Sequence, residues 1–256
     1  MLFFGRTINM KKHKFYFSSG EIAILLLSYS IIILSFVLFD NSGYMNLIAS
    51  LIGVTSIILN AKGNPAGQLL IIIFSVLYGI ISYSFSYYGE MITYLCMTAP
   101  MALFSLVSWL RHPYNGNRSE VSINTVPLRE IPLIIMLTAA VTVAFYFILG
   151  ALNTANLIPS TVSVTTSFLA AYLTFRRSKY FALVYFSNDI VLLVLWSMAC
   201  VSEPKYLSVV ICFAIFLVSD MYGFISWHRM YRARLASPPS PPNQSFPAAQ
   251  SHGDTA

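Results

Sequence analysis

The sequence predicts an all-α polytopic membrane protein with eight transmembrane helices: one extra N-terminal helix, then two three-helix repeats joined by a linker helix. Three observations carry this prediction. The 256 residues are 57% hydrophobic and only 9% charged, whereas a soluble domain carries about 25% charged residues. Water-facing surface needs charge, so lipid is the solvent expected for most of this one. Eight apolar runs of helical spanning length follow one another. The cationic residues between them fall almost wholly on one side.

The runs lie at 22–39, 44–61, 66–87, 91–110, 131–152, 158–175, 180–200 and 205–227. Helices are expected because hydrocarbon offers no partner to open backbone groups. The runs do not alternate in the ten-residue segments that a β-barrel requires. Residues 1–21 form a basic N-terminus with Arg6, Lys11, Lys12 and Lys14. No short apolar stretch with a small-residue cleavage site follows, so the first run reads as retained. Residues 22–43 are the extra helix and 44–114 the first repeat. Residues 115–157 are a loop and linker helix, and 158–235 the second repeat. Ser237-Pro238-Pro239-Ser240-Pro241-Pro242 cannot continue a helix, and 236–256 reads as a disordered cytoplasmic tail.

Eight crossings put both termini on one side. That side holds the four N-terminal cations, Lys62, Arg111, Arg118, Arg129, Arg176, Arg177, Lys179, Arg229, Arg232 and Arg234, while Lys205 alone lies opposite. Cationic loops stay in the cytoplasm, so both termini are expected inside, with the Glu203–Lys205 turn outside. The net charge of +6 is then a topology signal, and nothing calls for a nucleic-acid partner. Cys96, Cys200 and Cys212 are lone residues in apolar runs and suggest no disulfide framework.

The two halves echo each other. Val107-Ser108-Trp109-Leu110-Arg111 ends the fourth run and Ile225-Ser226-Trp227-His228-Arg229 the eighth. Leu59-Asn60-Ala61-Lys62 ends the second and Leu173-Thr174-Phe175-Arg176 the sixth. The offsets are 118 and 114 residues. Three crossings per unit plus one linker make the repeats parallel, related by an axis along the membrane normal, and such transporters place their substrate near the midplane between repeats.

Polar residues recur at helical spacing within the runs. They are Asn46, Ser50, Gly53 and Asn60; Gln68, Ser75, Tyr78 and Ser82; Tyr94, Thr98, Ser105 and Ser108; and Ser160, Ser163, Ser167 and Thr174. Singly, such residues serve close helix packing; four stripes together point to a polar cavity. Of nine acidic residues, only Asp189 and Asp220 fall well inside predicted spans. Each costs roughly 2.5–3.5 kcal/mol at a helix centre. Asp189 follows Asn188 and shares a face with Tyr185 and Trp196; Asp220 follows Ser219 and precedes Tyr222. A carboxylate beside aromatic rings suits a cation, and Asn and Asp suit vicinal hydroxyls. Neighbouring hydroxyls or a proton relay would also account for the acids.

Several stretches in order and spacing resemble the PnuC family of nicotinamide riboside transporters. They are Asn60-Ala61-Lys62-Gly63, the helix exit from Ser108 to Tyr114, Tyr185 to Leu192, and Asp220 to Trp227. The resemblance runs from about 44 to 231. It implies a SWEET-like 3+1+3 core and facilitated diffusion of nicotinamide riboside. Uptake would be made one-way by cytosolic phosphorylation, and the protein would be a homotrimer. The family's second repeat carries two Trp three apart and then Asn or Asp four further on. Asn188 matches the last position, while Phe181 and Val184 stand at the Trp positions, and Thr98 stands where relatives have Gln. The expected substrate-binding set is Asn188, Asp189, Asp220, Ser219, Tyr185, Trp196, Gln68, Tyr78 and Thr98. No catalytic residue, metal ligand or cofactor is expected.

Two rivals remain at this level. One is a proton-coupled carrier of another small polar or cationic solute. The other is an intramembrane enzyme using Asp189 and Asp220. His13, His112, His228 and His252 all lie at ends or in tails, and neither G-x-S-x-G nor H-E-x-x-H occurs.

Overall fold

The computed structural model describes residues 17–39, 44–84, 88–154, 156–202 and 206–236. The N-terminal cations, the 203–205 turn and the tail from 237 onward lie outside these residues. Eight helices among the described residues are long and apolar enough to cross a membrane. They are α1 (Ser19–Phe39), α2 (Tyr44–Ala61), α3 (Ala66–Ser84), α4 (Tyr88–Arg111), α5 (Ile131–Ala151), α6 (Leu157–Phe175), α7 (Phe181–Ser202) and α8 (Leu207–Ala236). The last runs nine residues past the predicted run, because its final turns are held by charge rather than by apolar burial. Arg234 pairs with Glu120 at 2.5 Å and lies 3.8 Å over the Tyr114 ring.

Burial is inverted relative to a soluble protein. Leu27, Val37, Ile135 and Phe147 are 63–68% exposed, while Ser56, Ser75, Ser82, Ser105 and Thr174 are at most 2% exposed. Lipid solvates the outer apolar side chains, and small polar ones let helices approach inside.

The repeat seen in sequence is a reciprocal set of hydrogen bonds in space. Trp109 Nε1 donates to the Thr174 carbonyl (2.9 Å) and Ser108 Oγ to that of Phe175 (3.0 Å). In the other half, Trp227 Nε1 donates to the Asn60 carbonyl (2.7 Å) and Ser226 Oγ to that of Ala61 (2.8 Å). Each repeat's last helix thus caps the other repeat's first helix. The two indoles pack 5.5 Å apart between the halves, and both are fully buried.

The caps themselves match as well. After α2, Gly63 and Asn64 donate back to Asn60 and Leu59; after α6, Arg177 and Ser178 donate back to Thr174 and Leu173. This is the Schellman arrangement, which needs a left-handed residue at the turn. Gly63 supplies it freely at φ 68°, and Arg177 adopts it at φ 57°. Both left-handed residues then accept bonds from the segment after α4, Val121 N–H to Gly63 and Asn124 N–H to Arg177. That segment contains a hairpin, Pro113–Tyr114 against Asn117–Val121, which an all-α reading omits. Its turn is Asn115-Gly116, both at positive φ, the pair that a tight hairpin turn prefers.

The extra helix is bound to the core. Ser18 and Glu21 cap its first turn reciprocally. The same Glu21 carboxylate accepts from Lys62 Nζ (2.8 and 3.0 Å) and from Tyr222 Oη (3.0 Å). Lys62 follows the first repeat's opening helix and Tyr222 belongs to the second repeat, so α1 ties the halves together at the basic end.

Candidate functional site

The central cavity begins with a fault in α4. Pro100 has no N–H to offer the Cys96 carbonyl, and its ring crowds that oxygen. The helix widens in response: Thr93–Thr98 is π-helical, and Ala99 N–H bonds the Tyr94 carbonyl. A π turn moves side chains out of α register, and such turns often mark functional sites. Here Tyr94 and Thr98 both line a cavity of about 70 Å³.

From α7, Tyr185, Asn188 and Asp189 face the same cavity, and from α8, Asp220. Asn188 and Asp189 are both 4% exposed, and Asp220 6%. The Asp189 and Asp220 side chains interact directly. Asp189 Oδ2 has no hydrogen-bond partner among the described residues. Two carboxylates in contact at low dielectric repel strongly, and a positive charge brought between them relieves that repulsion. Among the described residues, no Lys or Arg lines the cavity.

Asn188 is held in one orientation. Its Oδ1 accepts from Thr166 Oγ1 (2.7 Å) and Ser167 Oγ (3.0 Å) of α6. With Oδ1 turned toward α6, the amide nitrogen is the donor group of a side chain that lines the cavity. Opposite, Asn60 at the end of α2 lines the cavity, and its Oδ1 accepts from Gln68 Nε2 at 2.9 Å. Gly67 makes this contact possible. A Cβ there would lie 2.3 Å from Asn60 Oδ1 and 2.8 Å from its backbone nitrogen.

The nine expected residues therefore divide. Asn188, Asp189, Asp220, Tyr185 and Thr98 come together at one cavity. Gln68 stands behind it through Asn60. Ser219 is buried beside it, but its hydroxyl is spent on the Ile215 carbonyl of its own helix (2.9 Å). Tyr78 and Trp196 line a different cavity, two turns further along α3 and α7. Trp196 is seven residues from Asp189, and those two turns carry it past the central cavity.

The expected set also misses residues. Tyr94 and Asn60 belong to the polar stripes but are absent from it. Phe74, Phe213 and Phe216 line the cavity but carry no signal inside apolar runs. Glu90, one residue before a predicted run, lies inside Tyr88–Arg111, 7% exposed, with Oε2 unbonded. A helix boundary drawn one residue late hides it. No group of three or more His, Cys, Asp or Glu able to hold a metal occurs among the described residues.

Residues 43–229 match the profile of the family described as nicotinamide mononucleotide transporter. A curated relative, the nicotinamide riboside transporter PnuC of Neisseria mucosa, is 23% identical over 198 residues, covering 76% of this chain and 75% of that one. A crystal structure of the vitamin B3 transporter PnuC superposes with a TM-score of 0.74 at 23% identity, over 85% of this chain and 94% of that one. The fold is thus shared.

Proposed function

Because the chain belongs to the PnuC family, the nicotinamide mononucleotide transporter family by its description, we propose that it carries nicotinamide riboside across the membrane. The observation that carries the choice of solute is the charge of the cavity. Among the described residues it offers two carboxyls and no Lys or Arg. A phosphate group would enter against like charge with no cation to receive it. A riboside brings a pyridinium cation toward the acids and hydroxyls toward Asn188 and Asn60, with Tyr185 and Tyr94 beside the ring.

A space of about 70 Å³ is below the roughly 300 Å³ of the smallest typical ligand pockets. The helices must part to admit a nucleoside, as alternating access of the two repeats requires. The solute gradient drives entry, and phosphorylation in the cytosol removes the product. The chain is a multi-pass membrane protein; the cytoplasmic membrane, with both termini inside, is the placement that the Lys/Arg split favours. A homotrimer belongs to the same reading. One observation favours a second: the contact of Asp189 with Asp220 suits a proton as well as a cation, as a proton-coupled carrier would use. An enzyme finds no further support at the two acids.

Uptake of labelled nicotinamide riboside into proteoliposomes tests the proposal. Uptake is expected without a proton gradient and with the mononucleotide as a poor competitor. Uptake only with a proton gradient would favour the second reading. Preference for the mononucleotide would overturn the charge argument.

A further inference from the structure

Phe74, Phe213 and Phe216 line two cavities, one on each side of their rings. The rings form a layer: Phe74 and Phe216 are 5.9 Å apart between centroids, Phe213 and Phe216 5.6 Å, both edge to face. On one face of this layer is the site with Asp189 and Asp220. On the other is a second space of about 40 Å³, toward the end of the bundle where α2 and α8 begin. Its walls include Ser35 of α1 and Ser82 of α3. These serines are 4% and 2% exposed, and neither hydroxyl has a hydrogen-bond partner among the described residues.

Buried hydroxyls are nearly always bonded, and an unbonded one asks what it serves. Two of them facing one space with aromatic walls suit a solute that brings both hydroxyls and a ring. The layer also depends on a missing side chain. A Cβ at Gly53 would lie 2.5 Å from Phe216 Cζ and 3.3 Å from the Phe74 ring. Glycine there lets the rings close against the α2 backbone. The α1 wall stands outside the matched region, since the family profile begins at residue 43.

Resting on the reading of the chain as a riboside carrier, we propose that the second space is a further station on the solute's route. It is a subsite for ribosyl hydroxyls at Ser35 and Ser82, and the Phe74–Phe213–Phe216 layer is the gate between it and the central site. In the proposed orientation this station lies on the outer side. The extra helix α1 walls the station off from lipid. Buried positions at Ser28, Ile32 and Ser35 place one stripe of α1 toward the bundle.

Cys212 lines the same space and serves as a built-in probe. A C96S/C200S chain leaves it as the sole cysteine. In proteoliposomes, a small cationic methanethiosulfonate present during riboside transport is expected to modify Cys212 and abolish most uptake. Saturating nicotinamide riboside should slow the modification, and a chain also carrying C212S should be insensitive. In the native-cysteine background, Ser82→Phe fills the station and is expected to remove most uptake while calorimetric riboside binding in detergent persists. An unreactive Cys212 during turnover, full uptake after its modification, or no slowing by riboside would each overturn the station. Native uptake by Ser82→Phe would do the same. Absence of riboside uptake by the unmodified native chain would instead sink the proposed function itself.

Discussion

Replacing Asp189 with Asn keeps the side chain's shape and removes its charge, and it separates two roles for the acid pair. Asp189 and Asp220 interact directly inside the bundle, and among the described residues no cation lines their cavity. Without ligand, the change removes a repulsion, so the folded protein should melt at the same temperature or higher. With ligand, it removes one of two attractions to the pyridinium cation and one set of charge-assisted bonds to hydroxyls. A hydrogen bond to a charged group contributes about 1.5–3 kcal/mol, which is roughly a ten- to hundredfold loss of affinity at about 1.4 kcal/mol per decade. Asp220→Asn should behave alike, and the double variant should lose less than the sum, because the residues are in contact. Calorimetric titration of purified variants with nicotinamide riboside gives the affinities, and thermal unfolding in the same detergent gives the stabilities. Wild-type affinity in both single variants would refute the reasoning, and so would a marked fall in melting temperature, which would mean that the acids hold the bundle together.

Asn188→Ala should weaken riboside binding by about 1–2 kcal/mol and strand the Ser167 hydroxyl, whose acceptor it supplies; the same titration reads it. Trp109→Phe and Trp227→Phe each remove one of two hydrogen bonds accepted by a buried carbonyl, that of Thr174 and that of Asn60, leave the cap bonds from Arg177 and Gly63 in place, and should each destabilise by about 0.5–1.5 kcal/mol in denaturant or heat. Similar losses from the two would follow from the reciprocal geometry, and a large inequality would argue against it. Gly67→Ala presses a methyl onto the α2 backbone and should cost about 1–3 kcal/mol or block insertion, seen as lost folded protein in size-exclusion chromatography. For topology, a cysteine at position 203 should react with an impermeant thiol reagent added to intact cells, and one at position 240 should not.

The sequence by itself determined the solvent, the number of crossings, the repeat and the sidedness of charge. These are properties of runs and offsets, so they survive without coordinates. Twenty apolar residues span hydrocarbon whatever they touch, and the offsets of 118 and 114 between helix ends reappear as the Trp109 and Trp227 bonds to the opposite repeat. The buried acids were legible for the same reason, since a charge in an apolar run is conspicuous in any fold. Only the tertiary structure decided which polar residues share a cavity. Periodicity gives the face of a helix but not the depth at which another helix meets it. That is why Trp196, on the face of Asp189, belongs to the second space, and why Ser219, beside Asp220, spends its hydroxyl on its own helix. The π turn at Thr93–Thr98 had a signal in Pro100, but the burial of Glu90 and the Phe74–Phe213–Phe216 layer had none of their own. Each arises where neighbouring helices constrain one another, and an aromatic residue in an apolar run reads the same whether it faces lipid, a core or a solute.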